Sequence, residues 1–294
     1  MITSLFLNKD NIKDYLSSKI ELFFGIDGYP SYEKHLNPII DTLSDNIVFF
    51  FEYPYIEKYY RDSYYSFHSK KHKAYNRNSI RISFFDKSIS SDDFFKSERQ
   101  LAIQDNFHGY ITIRPTTYNM VGHSFISPKA LKKNNFVSCL NTESVMISGH
   151  KLKVTGFPFI SQDNESITCS ESTIITLLDY FSHKYPGYSF LLPSEISRIL
   201  SKHSSERQLP TKGLPTQNIS FVLKKMGFGT VVYSYDAKSK YVYNKSKFKE
   251  IMFAYIESGI PIIATLSSKK NNHAVLIIGR KNITQDIKIL NSRT

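Results

Sequence analysis

The hydrophobic rhythm of this chain changes near its midpoint, and that change limits the fold more than any other feature of the sequence. Before residue 150 the clearest apolar patterns have the period of two that puts alternate side chains on one face of a strand. Residues 79–85 carry Ile80, Ile82 and Phe84 at alternate positions, and residues 109–114 repeat the alternation until Pro115 stops it. Residues 46–51 form a short apolar run of strand character. Residues 144–149 and 150–156 read as two strands joined at a Gly-containing turn, a hairpin. Helical spacing is confined to 11–24, through Ile12, Tyr15, Leu16, Ile20 and Phe23 with Asp10 as the expected cap, and to the basic and aromatic residues of 55–75.

Beyond that point helices lead. Residues 169–184 place Ile174, Leu177, Leu178 and Phe181 on one stripe, and shorter helices are expected at 194–202, 216–226 and 245–258, the second of these ended by Gly227. Strands are expected at 230–235, 261–266, 273–278 and 287–291. Helices followed by consecutive strands make an α+β pattern and exclude a parallel doubly wound sheet. A chain of 294 residues has room for two domains. We place an α+β domain at 1–150 and a domain of helices packed on an antiparallel sheet at 151–294.

Composition narrows the class further. Hydrophobic residues at 41% against charged residues at 22% supply a packed core, which excludes a disordered chain. No apolar run reaches the ~18 residues of a membrane span, and residues 1–7 are too short and weakly apolar for a signal peptide. Two cysteines in unlike contexts are no disulfide scaffold, so a reducing, cytoplasmic setting is expected. The formal charge of +12, with 20 Tyr, 22 Phe and no Trp, fits either an AT-rich coding bias or an anionic partner.

The chemistry centres on Cys169. It opens the expected helix 169–184, where unpaired N–H groups and the helix dipole favour thiolate over thiol. The bland alternative is a buried, inert thiol. His273 opens an otherwise apolar strand in Asn272-His-Ala-Val-Leu-Ile-Ile-Gly279; its bland alternative is a strand-edge histidine satisfied by a carbonyl. A hairpin centred on Asn282 would set His273 opposite Asn291, with Cα atoms about 4.5–5.5 Å apart. An Asn facing a His can hold its ring and tautomer, the third role of a catalytic triad.

The stretch Gln162-Asp-Asn-Glu-Ser-Ile-Thr-Cys169, a long helix and then Asn272-His-Ala-Val-Leu-Ile-Ile-Gly279 resembles the papain-like cysteine peptidases, in particular the bacterial branch with the double-glycine leader peptidases of bacteriocin exporters. The resemblance covers roughly residues 151–294. It implies a papain-like domain in which Cys169 is the nucleophile, His273 general base and then acid, and Asn291 the orienting residue. It also implies an oxyanion-hole donor at Gln162 and a peptide or protein substrate, with no cofactor or metal. The first half, through Phe51-Glu-Tyr-Pro-Tyr-Ile56, Tyr60-Arg-Asp-Ser-Tyr-Tyr65 and Gly109-Tyr-Ile-Thr-Ile-Arg-Pro115, is similar to stretches of uncharacterised bacterial proteins, and would select substrate or answer to an activating or inhibiting protein partner. The chain departs from the family at Ser170, where Gly or Ala is common, and at Gln162, seven residues before the Cys rather than six. Glu171 would oppose ionisation if it pointed at the thiol, and only three residues follow Asn291, where such folds continue with more strands.

Three other readings compete with this one. Residues 59–81 mix Arg61, Lys70, Lys71, Lys73, Arg77 and Arg81 with six aromatics, which could neutralise phosphates and stack on bases. A catalytically inactive peptidase-like interaction protein would keep the fold alone, and a thiol acyltransferase would pass the acyl group to an amine. His68 and His72 have the i, i+4 spacing of two metal ligands but no third partner, so a solvent-facing pair is expected. His108, His123 and His150 sit near turns without a partner pattern, and Cys139 is expected to be structural.

Overall fold

The structure is a computed structural model that describes residues 3–25, 29–117, 119–203, 209–210, 213–234, 245–267 and 272–281. The first half runs β1 (Thr3–Leu7), α1 (Lys9–Phe24), α2 (Tyr29–Thr42), β2 (Ile47–Tyr55), α3 (Lys58–Ser66), β3 (Ser79–Asp86), α4 (Gln100–Asp105), β4 (Phe107–Ile113), β5 (Ser124–Ile126), β6 (Phe136–Ser138), β7 (Asn141–Ile147) and β8 (His150–Phe159). The second runs α5 (Cys169–Lys184), α6 (Pro193–Ser201), α7 (Thr216–Lys225), α8 (Lys245–Glu257), β9 (Ile262–Ser267), β10 (Asn272–Ile277) and β11 (Gly279–Lys281). The chain is thus a mixture of helix and antiparallel sheet, as α+β requires.

Seven strands form one antiparallel sheet in the order β1-β2-β3-β4-β5-β8-β7. Alternation assigns its two faces. Phe49 and Phe51 of β2 join Ile80, Ile82 and Phe84 of β3 and Ile111 and Ile113 of β4 under the buried stripe Ile12, Leu16, Ile20, Phe24 of α1. Val48, Phe50, Phe85, Phe107 and Tyr110 point the other way, into a second core closed by Phe94 and Ile103. The run Ile-Val-Phe-Phe-Phe at 47–51 is apolar throughout because both faces of β2 are covered. Only glycine fits on either side of β5: a Cβ at Gly109 would lie 2.1 Å from the Phe125 carbonyl oxygen, and one at Gly156 would lie 2.4 Å from that of Ile126.

Local differences from the sequence reading have physical causes. α1 begins at Lys9, with Asn8 in the cap position and Asp10 inside the first turn. α2 has no counterpart among the expected helices because it contains Pro38; that proline is exposed, and so is Lys34 one turn earlier, so the freed carbonyl can face water while Leu36 and Ile40 stay in the core. The helix expected across 55–75 ends at Ser66 and is followed by a 3-10 turn at His68–Lys70. His68 is consequently buried while His72 is exposed, and the expected solvent-facing pair does not form. Residues 230–234 make no strand; Val231 and Val232 are 64% and 63% exposed, and no strand lies alongside them among the described residues.

A third core gathers around α5, whose residues are buried almost throughout, with α6, α7, β9 and β10. β9 and β10 form a two-stranded antiparallel sheet with His273 opposite Leu266. β11 leaves that pair and joins β6 of the first half, Gly279 facing Ser138, while the Cys139 N–H donates to the Ile278 carbonyl at 2.7 Å. The Asn141 amide bonds the Tyr180 carbonyl at 2.7 Å, and the Asp62 carboxylate accepts from the Ser194 N–H and hydroxyl, both at 2.7 Å. The division expected at 150/151 falls at the tip of the β7–β8 hairpin, where Ile147 faces His150, and the sheet continues to Phe159. The strand expected at 287–291, and Asn291 with it, lies outside the described residues.

Candidate functional site

The start of α5 is built to be held still. The Glu171 carboxylate accepts from the Thr168 N–H at 3.1 Å and from the Thr168 hydroxyl, a capping box that fixes where the helix begins. Glu171 is therefore engaged by the cap. Ser170 is buried, its hydroxyl bonded to both the N–H and the carbonyl of Leu214 at 3.3 and 3.2 Å, which ties the loop before α7 to the helix start. Ser170 and Glu171 thus have structural partners of their own.

Cys169 is the first residue of the helix and is half-buried. Its Sγ accepts a hydrogen bond from the Ala274 N–H at 3.4 Å. That donor belongs to the peptide group joining His273 to Ala274. The Thr173 hydroxyl reinforces the contact, lying 2.6 Å from the Cys169 carbonyl and 3.4 Å from that of Ala274. The fold thus brings Cys169 and His273, far apart in sequence, onto touching elements. The His273 side chain is exposed, and its ring has no hydrogen-bond partner among the described residues. Gln162 is half-buried in the segment that joins β8 to α5. Asn291 lies outside the described residues, so its position opposite His273 is not described.

No family model, curated protein or solved structure matches this chain. What the site can do is read from its own geometry.

Two buried polar clusters lie along the same stretch, one in the turn before α5 and one within α5, and neither was legible in the sequence. In one, Asp163 caps its own turn, accepting from the N–H groups of Glu165, Ser166 and Ile167 at 2.8–2.9 Å and from the Ser166 hydroxyl at 2.6 Å, with His68 Nε2 at 3.6 Å. Burial alone would raise this carboxyl, but His68, the Arg114 charge, Ser166 and the Ile167 N–H more than offset it and hold Asp163 well below the usual carboxylate range. The only sequence signal was the Asp-Asn-Glu-Ser run, a common turn composition.

In the other, Asp179 of α5 accepts from the Tyr59 hydroxyl at 2.6 Å and lies 2.8 Å from His123 Nε2. His123 Nδ1 is 3.1 Å from the Tyr110 hydroxyl, which donates to Glu143 at 2.9 Å. Burial would lower the His123 pKa, but the Asp179 charge and hydrogen bond overcome it and the shift is upward; Asp179 in turn sits below the carboxylate range despite its burial. Protonated, the imidazole can donate from both nitrogens. This cluster ties α3 and the segment before β5 to α5.

Other candidates resolve simply. Cys139 is buried with its thiol 3.9 Å from the Ile256 carbonyl, and burial pushes that thiol up. Among the described residues no group of three or more His, Cys, Asp or Glu is placed to hold a metal ion, and no helix is long and apolar enough to cross a membrane. The basic and aromatic stretch 59–81 is divided: Tyr59 and Tyr60 are fully buried, Arg81 pairs with Glu52 at 2.7 Å and Lys71 pairs with Glu165, while Tyr65, Lys70, Lys73 and Arg77 are exposed.

Proposed function

We propose that this chain is a thiol-dependent hydrolase that cleaves a peptide or isopeptide bond through an acyl-enzyme on Cys169. The observation that carries the reading is the hydrogen bond from the His273–Ala274 peptide group to the Cys169 sulfur. An N–H aimed at sulfur stabilises negative charge there, and it seats the strand that bears the imidazole against the nucleophile. His273 takes the thiol proton; the sulfur attacks the carbonyl carbon; the tetrahedral intermediate collapses as the amine leaves with that proton; water then hydrolyses the thioester. Gln162 and the Cys169 N–H are the proposed oxyanion donors, and Asn291 is the proposed orienting residue for His273. No cofactor enters this scheme. Both cysteines are unpaired thiols, which suits a reducing, cytoplasmic setting.

A second reading is a peptidase-shaped interaction protein, or an enzyme awaiting an activating partner. It draws on the His273 ring, which makes no hydrogen bond to Sγ. Of the aromatics that nucleic-acid binding would stack on, Tyr59 and Tyr60 are core residues, whereas Tyr65 is exposed.

The test is alkylation by iodoacetamide across roughly pH 5 to 9 in the wild type, Cys169→Ala, Cys139→Ala and His273→Ala, with the modified residue read by mass spectrometry. The hydrolase reading expects rapid modification of Cys169 at neutral pH, slowed by His273→Ala. An ordinary thiol profile near pH ~8.5, indifferent to His273, supports the second reading instead.

A further inference from the structure

The segment between β8 and α5 is clamped on both sides of Gln162 by groups that the first half of the chain supplies. Before it, Ser161 donates its hydroxyl to the Val121 carbonyl at 2.6 Å, and Arg114 Nη2 donates to the Ser161 carbonyl at 2.8 Å and lies 3.0 Å from the Ser161 hydroxyl. After it, Asp163 caps the 163–167 turn and meets His68. Arg114, Asp163 and His68 are all essentially fully buried. Between them stands Gln162, half-buried, its side-chain amide making no hydrogen bond among the described residues.

We infer that Arg114 and the His68–Asp163 pair are positioning residues for Gln162, so that the first half of the chain builds one wall of the proposed active site. The inference rests on the hydrolase reading and assigns the first half a role in the chemistry. Holding a loop does not by itself call for buried charge. Apolar packing would serve, whereas here a guanidinium is buried with its Nε and Nη1 unpartnered, a costly arrangement. Departures of that kind persist where geometry must be held for function. A side-chain amide whose two flanking residues are pinned, and whose own donors remain free, is placed for a ligand oxygen.

Two reactions on the full-length protein separate this role from a merely structural one. Alkylation of Cys169 by iodoacetamide forms an S–C bond and expels iodide without building an oxyanion. Acylation by p-nitrophenyl acetate forms the thioester as the C–O bond breaks and p-nitrophenolate leaves, through a tetrahedral oxyanion. Gln162→Ala is expected to slow acylation about 100-fold with alkylation within about twofold of wild type. Arg114→Lys and Asp163→Asn are expected to slow acylation about 10- to 100-fold, again with alkylation preserved. In the double variant Gln162→Ala/Asp163→Asn the losses should not multiply, because the second residue acts through the first.

Anchor variants that acylate at the wild-type rate overturn the inference. So do equal losses in both reactions, and so does full multiplication in the double variant. A wild type that is alkylated with His273 dependence but never acylated removes the inference and leaves the thiol–imidazole pair standing. Alkylation indifferent to His273 removes both. Where Arg114→Lys or Asp163→Asn fails to fold, Ser161→Ala, which deletes a single hydroxyl from the same clamp, carries the comparison under the same expectations.

Discussion

The face of the seven-stranded sheet that α1 covers and helix α5 are both deeply buried, with opposite chemistry. Under α1 the sheet presents only apolar side chains, Phe49, Phe51, Ile80, Ile82, Phe84, Ile111 and Ile113, whereas its other face buries Ser79, Arg81, Ser83 and Thr112 among the aromatics. α5 is as deeply buried, yet Glu171, Thr173, Thr176 and Asp179 lie inside with its Ile and Leu residues. Three of these polar groups have work to do: Glu171 fixes the helix start, Thr173 bridges to β10, and Asp179 receives Tyr59 and His123. Burying a polar group is unfavourable without a partner, so its presence at the centre of a core marks where the fold is holding something in place. The two thiols repeat the contrast on the scale of one residue. Cys139 fills apolar space, whereas Cys169 sits half-open at a helix start with an amide aimed at it.

Mutations should expose the difference between the two kinds of core. Phe84→Ala empties a fully buried site in the sheet and is expected to cost about 3–5 kcal/mol, read as a lower urea midpoint. Asp179→Ala leaves His123 without its counter-charge and should cost about the same, 3–5 kcal/mol, whereas Asp179→Asn should cost clearly less. Because β11 pairs with β6 and Tyr59 is packed in the α5 core, both losses should appear in one cooperative transition. Two separated transitions would show the halves unfolding independently and break the comparison.

Acid and base should distinguish the cores next. Asp163 and Asp179 are held below the usual range, so their stabilisation is present above the unfolded carboxylate value of about 3.9 and is lost as pH falls through their folded values. His123 is raised, so its stabilisation is complete below about 6.5 and is lost as pH climbs through its folded value. The urea midpoint should therefore be higher at about pH 5 than at about pH 3 or 8. Asp179→Asn should flatten the alkaline limb; a wild-type midpoint unchanged between about pH 5 and 8 would contradict the His123–Asp179 assignment.

The smallest effects lie at the edges. Thr168→Ala removes the cap of α5 at about 1 kcal/mol and should be visible in a thermal melt. Val232→Ser, on the exposed stretch that makes no strand, should stay within about 0.5 kcal/mol.

The legible parts of the molecule were those governed by neighbours along the chain. The alternation of Ile80, Ile82 and Phe84 placed β3 and one of its buried faces, and the stripe from Ile174 to Phe181 placed α5 at its observed ends. The same logic failed at Thr230, Val231 and Val232, whose β-branched side chains suit a strand but find no partner alongside among the described residues. It also passed over α2, where Pro38 reads as a breaker until its solvent-facing position is known. At the site, the helix start and the strand carrying His273 were legible because helical stripes and apolar runs are local. The clamp on Gln162 was not, since His68 and Arg114 reach the 161–167 loop from remote segments and nothing in their own surroundings announces it.

The hydrogen bond from the His273–Ala274 peptide group to Sγ joins residues 105 positions apart. During synthesis Cys169 therefore emerges, and its helix can dock on the finished sheet, well before β10 exists. Through that interval the nascent protein carries a thiol without its imidazole. The chain order thus acts as a timer: whatever reactivity Cys169 has with His273 beside it is withheld until the late strands are made.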